Sequence, residues 1–428
     1  MSHKSFLLSL SCLLASAAIG GDAAAQDAAS GQFDPETGIR VPQGFKAWVF
    51  ADKLGPTRHL AVREDGVVYA SLYRKTEGHG LVALADRDGD NRAEIVERFG
   101  DSEGTGLALH KGALYFSNDT EVRRYPLGEG LLPTGEPEII VSGFPAQNQH
   151  ATKPMTFDDA GNMYVTVGAP SNACQERART PGSPGMKPCP QLELQAGIWQ
   201  FADDRPGQVH GKDGVRYATG VRNALAMDWN RSAGALYFMS HGRDQLAQLF
   251  PQYYTNEESA ELPAEEFHRA RPGSNHGWPY SYWDHRTGTR MAAPEYGGDG
   301  KTPLSPDPYA APLVAFPGHW APNDLLIYDA EAFPAYYRHG AFIAFHGSWN
   351  RAPLPQEGYN IGFIPMNAAG EATGDPIVFA DGFKGTETLA SPRAAAHRPT
   401  GLAVGPDGAL YVADDANGRI WVIRHVGD

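Results

Sequence analysis

Residues 401–414 read GLAVGPDGALYVAD, in which Gly408 closes a turn between two apolar runs. Alternating apolar residues on both sides of such a turn predict a β-hairpin. The phrase recurs earlier as HLAVREDGVVYAS (59–71), GLALHKGALYFSN (106–118), PMTFDDAGNMYVTVG (154–168) and NALAMDWNRSAGALYFMS (223–240). A divergent copy, LLIYDAEAFPAYYRHGAFIAFHG, occupies residues 325–347. One supersecondary unit is therefore repeated around the chain.

A hairpin of this kind cannot bury its faces until neighbouring copies pack against it. Repeats at intervals of a few tens of residues are typical of small sheets arranged radially about an axis. We therefore predict an all-β, six-bladed β-propeller with long loop insertions on its top face. A single catalytic propeller domain over residues 41–428 would account for almost all of the mature chain. Equivalent residues of distant repeats would then lie close together near its axis.

The 428-residue chain carries 36 Lys and Arg against 50 Asp and Glu, a formal net charge of −14. Such a charge argues against nucleic acids and anionic membranes as partners. The first 25 residues have the pattern of a secretory signal peptide: Lys4, an apolar run over residues 6–19, and the small residues Ala23–Ala25. No segment is apolar and long enough to be a membrane span. We expect a partly disordered leader over residues 26–40 and a periplasmic or secreted mature protein.

Two cysteines remain after the signal peptide is removed. Cys174 and Cys189 lie in a Pro- and Gly-rich insertion. An exported chain favours a disulfide between them, and two free thiols are the alternative. The chain has no Cys-x-x-Cys-His, so covalent haem is not predicted. Electrons from any redox reaction would then leave to another molecule.

Four of the six repeats open on a cation, although the protein is acidic. These cations are Arg58, Lys153, Arg222 and Arg398. The loop that feeds an innermost strand borders the mouth of a propeller's central channel, so the four side chains are expected at one opening. Clustered cations repel one another unless an anion lies among them, and the arginine fork matches a carboxylate. The pattern indicates an anionic ligand, and pairing of each cation with a local carboxylate is the alternative.

Histidines and an amide accompany these cations. His150 lies three residues before Lys153, Asn223 follows Arg222, and His346 lies in HGSWNR (346–351). An imidazole beside cations stays neutral at pH 7, which is the form that a general base needs. His150 is therefore our candidate base, and a structural histidine in a turn is the alternative.

Several phrases together resemble the soluble glucose/sorbosone dehydrogenases, six-bladed propellers that use pyrroloquinoline quinone (PQQ) and Ca²⁺. The phrases are QNQHATKPM, TGVRNALAMDW, SHGRDQL, SNHGWPY, FHGSWNR and HRPTGLAVGPDGALYVADD. The resemblance covers about residues 42–424 and is greatest for the sorbosone and pyranose dehydrogenase-type branch. It implies an oxidoreductase that transfers hydride from sugars, or related alcohols and aldehydes, to PQQ and passes the electrons to an external cytochrome or quinone.

The resemblance also implies roles for individual residues. His150 would remove the hydroxyl proton of the substrate, and Arg222 would stabilise the oxygen charge that develops on the quinone. Contacts with the cofactor are implied for Arg58, Lys153, Arg222, Asn223, His346 and Arg398. The family binds its metal through backbone carbonyls in a loop after the fourth blade. The implied Ca²⁺ ligands here are Gly242, Arg243 and Asp244.

A second calcium candidate is DRDGDNRAEIVE, residues 86–97. Its acidic residues fall at positions 1, 3, 5 and 12 of a calcium-loop pattern. No helix pattern flanks the segment, so a hairpin turn is favoured over a structural metal site.

Two other functions are compatible with a six-bladed propeller. A Ca²⁺-dependent lactonase or esterase needs several side-chain carboxylates and Asn on one axial metal, which the cationic repeat openings disfavour. A non-catalytic binding module has no need to keep His150, Arg222, Asn223 and Arg398 together. The chain has neither a Gly-x-Gly-x-x-Gly opening a helix nor a Gly-x-Ser-x-Gly elbow, so nicotinamide and α/β-hydrolase sites are not indicated.

Overall fold

The computed structural model describes residues 31–427, and the predicted signal peptide lies outside them. Six antiparallel sheets surround one axis, and their innermost strands contact one another in a closed ring. The predicted all-β, six-bladed propeller is confirmed. Within the described part of the chain, no helix is long and apolar enough to cross a membrane.

In blades 1 to 5 the four main strands follow one another along the chain from the axis outward. Blade 1 contains Thr57–Val62, Val68–Thr76, His79–Ala85 and Ile95–Phe99. Blade 2 contains Leu107–His110, Ala113–Ser117, Val122–Pro126 and Glu138–Ser142, with Gln208–Val209 added in parallel. Blade 3 contains Met155–Phe157, Asn162–Val167, Gly197–Ala202 and Val215–Thr219, with Ser274–Asn275 added in parallel.

The remaining blades are four-stranded. Blade 4 contains Met227–Asn230, Ala235–Ser240, Glu265–Arg269 and Val314–Phe316. Blade 5 contains Pro322–Ile327, Ala341–Phe345, Asn360–Ile364 and Ile377–Ala380. Blade 6 contains Pro399–Val404, Leu410–Asp414, Ile420–His425 and, outermost, Phe45–Ala51.

Short elements lie outside the blades. Two hairpins pair Phe33–Asp34 with Ile39–Arg40 and Ser281–Asp284 with Thr289–Ala292. The α-helices are Leu246–Leu249 and Asn256–Glu261, and the 3₁₀ turns are Pro190–Leu192, Pro294–Tyr296, Ala335–Tyr337 and Pro392–Ala394.

The repeated phrase forms the two innermost strands of the blades. Gly66 and Gly408 close the turns with φ of 86° and 78°, a region that favours glycine. The tyrosine of the second strand is buried, and its hydroxyl reaches a backbone carbonyl of the following blade. The bonds are Tyr69 to Leu131 O at 2.8 Å, Tyr115 to Asp203 O at 2.8 Å and Tyr237 to Gly370 O at 2.7 Å. The recurring tyrosine therefore links neighbouring blades.

The N-terminal segment closes the ring. The strand Phe45–Ala51 pairs with Ile420–His425, so the first and last strands of the propeller share blade 6. Ile39 is buried against Phe383 and Trp421, and the Arg40 amide donates to Asp381 O at 2.8 Å. Within the predicted leader, residues 26–40, the hairpin Phe33–Asp34/Ile39–Arg40 contacts the propeller through the Ile39 side chain, which blades 5 and 6 enclose.

The segment 86–97 joins the two outer strands of blade 1, which confirms the hairpin interpretation. Ala85 pairs with Ile95, and Glu97 lies within the last strand opposite Ala83. Glu97 is therefore a strand residue and does not take the position of a twelfth calcium-loop ligand. Oxygen atoms of Asp86, Asp88 and Glu94 lie within 4.8 Å of one another at the turn.

Candidate active site

Arg58 and Arg398 meet at one end of the axis, where the loops of blades 1, 5 and 6 converge. Arg58 Nη2 lies 3.1 Å from Asp415 Oδ2, and His346 Nε2 lies 2.9 Å from Asp415 Oδ1. Arg398 Nη2 lies 3.0 Å from His346 Nδ1 and donates to Gly347 O at 2.6 Å. Repeat openings that are far apart in sequence therefore share one carboxylate and one imidazole.

The partners of His346 fix its tautomer. A carboxylate only accepts and a guanidinium only donates, so Nε2 carries the proton towards Asp415 and Nδ1 accepts from Arg398. Burial lowers the pKa of His346, and Arg398 and Arg58 lower it further against the opposing effect of Asp415. The ring is therefore neutral at pH 7. Asp415 is ionised, because His346 and Arg58 hold its pKa well below the usual range against the opposing effect of burial.

Arg222 is the centre of a second group, between blades 3 and 4. Its Nη1 donates to Gly242 O at 2.8 Å, and its Nε donates to Asn172 O at 3.1 Å. Its Nη2 donates to Asn172 Oδ1 at 3.0 Å and to Asp244 Oδ2 at 2.8 Å. Because only 4% of the side chain is exposed, these contacts hold the guanidinium rigidly.

The Asp244 carboxylate accepts hydrogen bonds from two arginines and one side-chain amide. Arg179 Nη2 lies 2.9 Å from the same Oδ2 atom that Arg222 contacts. Asn350 Nδ2 donates to Asp244 Oδ1 at 3.0 Å. Burial raises the pKa of Asp244, but Arg222 and the other cations outweigh burial and hold it well below its usual range. The carboxylate is therefore charged throughout the physiological range.

The HGSWNR loop joins the two groups. His346 belongs to the first group and Asn350 of the same loop belongs to the second. His241 Nε2 lies 2.6 Å from Pro322 O, and burial lowers the pKa of His241 to about 4. Arg58 and Arg398 thus share the first group, Arg222 is the centre of the second, and one loop contacts both.

His150 is held in place through one of its two ring nitrogens. Its Nδ1 lies 2.7 Å from Ala169 O, so Nδ1 carries the proton and Nε2 is left with a lone pair. Burial, with the charge of Arg222 second, lowers the pKa of His150 to about 3. Gln147 Nε2 donates to His150 O at 3.0 Å and fixes the loop, in which His150 takes φ 52°. The imidazole is therefore neutral and fixed in orientation.

Gly168 explains how His150 and Asn223 approach each other. A Cβ at Gly168 would lie 2.5 Å from His150 Cβ and 3.0 Å from Asn223 Oδ1. Only glycine leaves room for both side chains. The backbone oxygen of Asn223 accepts from the His241 amide at 2.9 Å, which ties this corner to the loop between the second and third strands of blade 4, and not to a loop after that blade as the resemblance implies.

Lys153 is not brought to the arginines. Its side chain is fully buried, its Nζ donates to Ala151 O, and it lies 6.0 Å from the centroid of the Phe144 ring. Burial lowers its pKa to about 8, although Asp119 opposes this shift. The ammonium therefore lies between blades 2 and 3, because its four-carbon stem turns into the apolar wall around Phe144.

The loop predicted to bind calcium is occupied by side-chain contacts. Gly242 O accepts from Arg222, and Asp244 O accepts from Asn172 Nδ2 at 3.0 Å. The Arg243 side chain turns away and forms a buried pair with Glu295, with N–O distances of 2.6 and 2.7 Å. The loop is therefore held in place by guanidinium and amide donors of the same chain.

The Cys174–Cys189 disulfide is present, which confirms that prediction. The loop that it closes carries Arg179, and Asn172 lies two residues before Cys174. Neither residue is among the site residues predicted from the sequence, and Asp415 is not among them either. Asp415 directly follows the last repeated phrase, which is a positional signal, whereas nothing periodic marks Asn172 or Arg179.

The fold and this site together define a six-bladed propeller with a cationic axial opening. The chain belongs to the TrAA12-like family, whose model matches residues 39–426. A Trichoderma reesei structure of Carbohydrate-Active Enzymes Family AA12 has a TM-score of 0.73 at 17% identity, covering 90% of this chain and 97% of that one. The holo form of the pyranose dehydrogenase PQQ domain from Coprinopsis cinerea has a TM-score of 0.70 at 18% identity, covering 90% and 97%. The resemblance stated from the sequence is therefore confirmed.

A curated relative matches only part of the chain. An uncharacterized protein of Borreliella burgdorferi is 25% identical over 210 residues, which is 49% of this chain and 48% of the relative. The chain therefore aligns with about half the length of that relative.

Proposed function

We propose that this protein is a PQQ-dependent oxidoreductase of sugars or related alcohols and aldehydes that delivers electrons to an external acceptor. The observation that carries the proposal is the pair of cationic groups that the HGSWNR loop joins. Arg58 and Arg398 lie with His346 and Asp415, Arg222 lies with Asp244, and the charge of Arg222 acts on His150. Membership of the TrAA12-like family and the PQQ domain among the structural neighbours support it. The disulfide fits an oxidising compartment, such as the periplasm or the secreted space.

The charges of the opening suit an anionic cofactor. Arg58 pairs with Asp415, Arg398 contacts His346, and Arg222 pairs with Asp244. Burial lowers the pKa of each nearby imidazole, so the positive charge of the opening comes from these guanidinium groups. Arg58 Nε is also buried without a hydrogen-bond partner among the described residues. PQQ is a tricarboxylate, and arginine forks bind carboxylates through paired hydrogen bonds.

The chain's own residues would prepare the substrate. The bound quinone supplies the carbonyl that accepts a hydride. His150 Nε2 would take the hydroxyl proton of the substrate, because its other nitrogen is committed to Ala169 O. Arg222 would keep a fixed positive charge beside this reaction, because Asn172 and Gly242 hold its guanidinium.

Calcium at Gly242, Arg243 and Asp244 stays a prediction. The donors already on Gly242 O and Asp244 weigh against a hard cation there, so we assign no step to a metal. Wild-type protein stripped with EDTA and supplied with PQQ alone tests the point. Full activity without added Ca²⁺ would contradict the calcium prediction and leave the quinone proposal intact.

Reconstitution tests the proposed function itself. Purified protein is titrated with PQQ, the change in quinone absorbance is followed, and a panel of sugars is assayed with an artificial electron dye. We expect saturable uptake and dye reduction by at least one sugar. Absence of quinone uptake contradicts the proposal. Hydrolysis of lactones without quinone would favour a lactonase, and quinone uptake without turnover would favour a binding module.

Arg398→Gln tests the cationic opening. Arg398 makes three contacts with His346 and Gly347 at the opening. Loss of a charged donor should raise the Kd for PQQ about tenfold or more. Arg231→Gln is the matched control, because Arg231 lies in the inner turn of blade 4 and 60% of its side chain is exposed. Equal Kd values for the two variants would remove Arg398 from the cofactor site.

A further inference from the structure

We propose that Arg179, on the loop closed by the Cys174–Cys189 disulfide, is a positioning residue that ties together the three loops around His150. The disulfide then contributes to the site, because it holds the loop from which Arg179 contacts Gln149, Asp244 and Gln245. The consequence for turnover rests on the proposed function. The positioning itself does not.

The contacts of Arg179 reach residues of two other loops. Its Nη1 donates to Gln245 Oε1 at 2.6 Å, and its Nη2 donates to Asp244 Oδ2 at 2.9 Å. The same Nη2 lies 3.3 Å from Gln149 Oε1. Gln149 directly precedes His150, and Asp244 is the carboxylate that also holds Arg222. One guanidinium therefore connects the loop of the candidate base to the loop between the second and third strands of blade 4.

The backbone around Arg179 is fixed for this role. Arg179 takes φ 50°, a conformation that non-glycine residues rarely adopt, and its amide donates to Gln175 Oε1 at 2.9 Å. Gln175 is buried and directly follows Cys174. Both cysteines are buried against Trp278, whose Nε1 donates to Asn172 O at 3.1 Å. The disulfide, Trp278 and Gln175 thus hold the base of the loop from which Arg179 extends.

Asn172 and Arg179 contact Asp244 from opposite sides. Asn172 is buried and binds Arg222 and Asp244 from within the propeller. Arg179 reaches Asp244 from the solvent side, where 31% of its side chain is exposed. Arg222 is therefore held by several buried partners. Arg179 bridges Gln149 and Asp244, and among the described residues no other charged side chain contacts both of them. Loss of Arg179 should loosen the loops that precede His150 and follow His241.

The test compares Arg179→Gln with Arg177→Gln. Arg177 lies on the same loop and is exposed, and only its backbone takes part in hydrogen bonds among the described contacts. Amide hydrogen exchange of the protein without added cofactor should be at least about threefold faster in segments 147–150 and 241–245 for Arg179→Gln, and unchanged for Arg177→Gln. Unchanged exchange in Arg179→Gln would overturn the inference, whatever the activity of the protein.

Kinetics of the PQQ-loaded protein form the second readout. Arg179→Gln should lower kcat about tenfold or more through misplacement of His150, with less than about a twofold change in the Kd for PQQ. Arg179→Lys, which keeps the charge, should recover part of kcat. Equal loss in the Lys and Gln variants would overturn the positioning role. Failure of the wild type to take up PQQ would instead contradict the proposed function, and the exchange data would still decide the inference.

The disulfide is tested by combining variants. If Cys174→Ser/Cys189→Ser acts through Arg179, then adding Arg179→Gln to it should lower kcat little further. Independent effects would multiply, and this result would separate the disulfide from Arg179. Thermal unfolding of the same variants shows whether the serine pair remains folded at the assay temperature.

Discussion

The Nε2 atom of His150 is where the proposed chemistry can be tested on a single residue. His150→Ala removes this acceptor, so we expect turnover to fall by about 10²-fold or more. The Kd for PQQ should change little, because the guanidinium groups remain. Stopped-flow and steady-state assays with the dye measure both quantities. His79→Ala is the control, since His79 is exposed on blade 1, and equal turnover in the two variants would exclude His150 as the base.

Single residues also show how far the sequence could be interpreted. Arg58, Arg222 and Arg398 could be predicted because each opens a repeat, and propeller symmetry carries equivalent positions to one axis. Lys153 occupies an equivalent position, but its flexible side chain turns towards Phe144. Arg179 could not be predicted, because its reach depends on the path of an insertion that has no counterpart in the other repeats.

At the scale of the element, the recurring tyrosine of the inner hairpin has a role that a variant can measure. Tyr237 is buried in blade 4, and its hydroxyl donates to Gly370 O at 2.7 Å in blade 5. Tyr237→Phe leaves that carbonyl without its donor, so the free energy of unfolding should fall by about 1–2 kcal/mol. Urea unfolding followed by fluorescence gives the value. Tyr253 is 39% exposed, so Tyr253→Phe is the control and should leave the free energy of unfolding unchanged. An unchanged free energy of unfolding in Tyr237→Phe would show that this hydrogen bond does not stabilise the contact between blades 4 and 5.

The inner hairpins were predictable as elements, whereas the outer strands were not. The phrase at 401–414 has a glycine turn and alternating apolar residues, which local sequence determines. Phe45–Ala51 joins blade 6 through pairing with Ile420–His425, a partner more than 350 residues away along the chain. Pairing over such a separation leaves no local pattern, so the closure of the ring appears only in the fold.

At the scale of the whole molecule, the blades are also joined by buried carboxyl groups around the axis. Asp228 of blade 4 accepts from the Ile327 amide of blade 5 at 2.8 Å. Asp324 of blade 5 accepts from the Leu402 amide of blade 6 at 2.8 Å. Burial raises the pKa of Asp228 to about 7 and that of Asp324 to about 8, although the amide donors oppose it. The native propeller therefore keeps protons that the unfolded chain releases.

This proton retention predicts how stability depends on pH. The pKa of Asp324 is higher in the folded protein, about 8 against the usual 3.8, so its contribution is complete below pH 4 and is lost as the pH rises towards 8. Between pH 5 and pH 7 the contribution falls by about 1.4 kcal/mol per pH unit. The side chain in the Asp324→Asn variant cannot ionise. We therefore expect the difference in the free energy of unfolding, wild type minus variant, to decrease with this slope as the pH rises. Urea unfolding at pH 5, 6 and 7 measures the slope, with Asp375→Asn at an exposed position as the control that should follow the wild type. A difference that stays constant from pH 5 to pH 7 would mean that Asp324 is ionised in the native ring, and would contradict the proton retention.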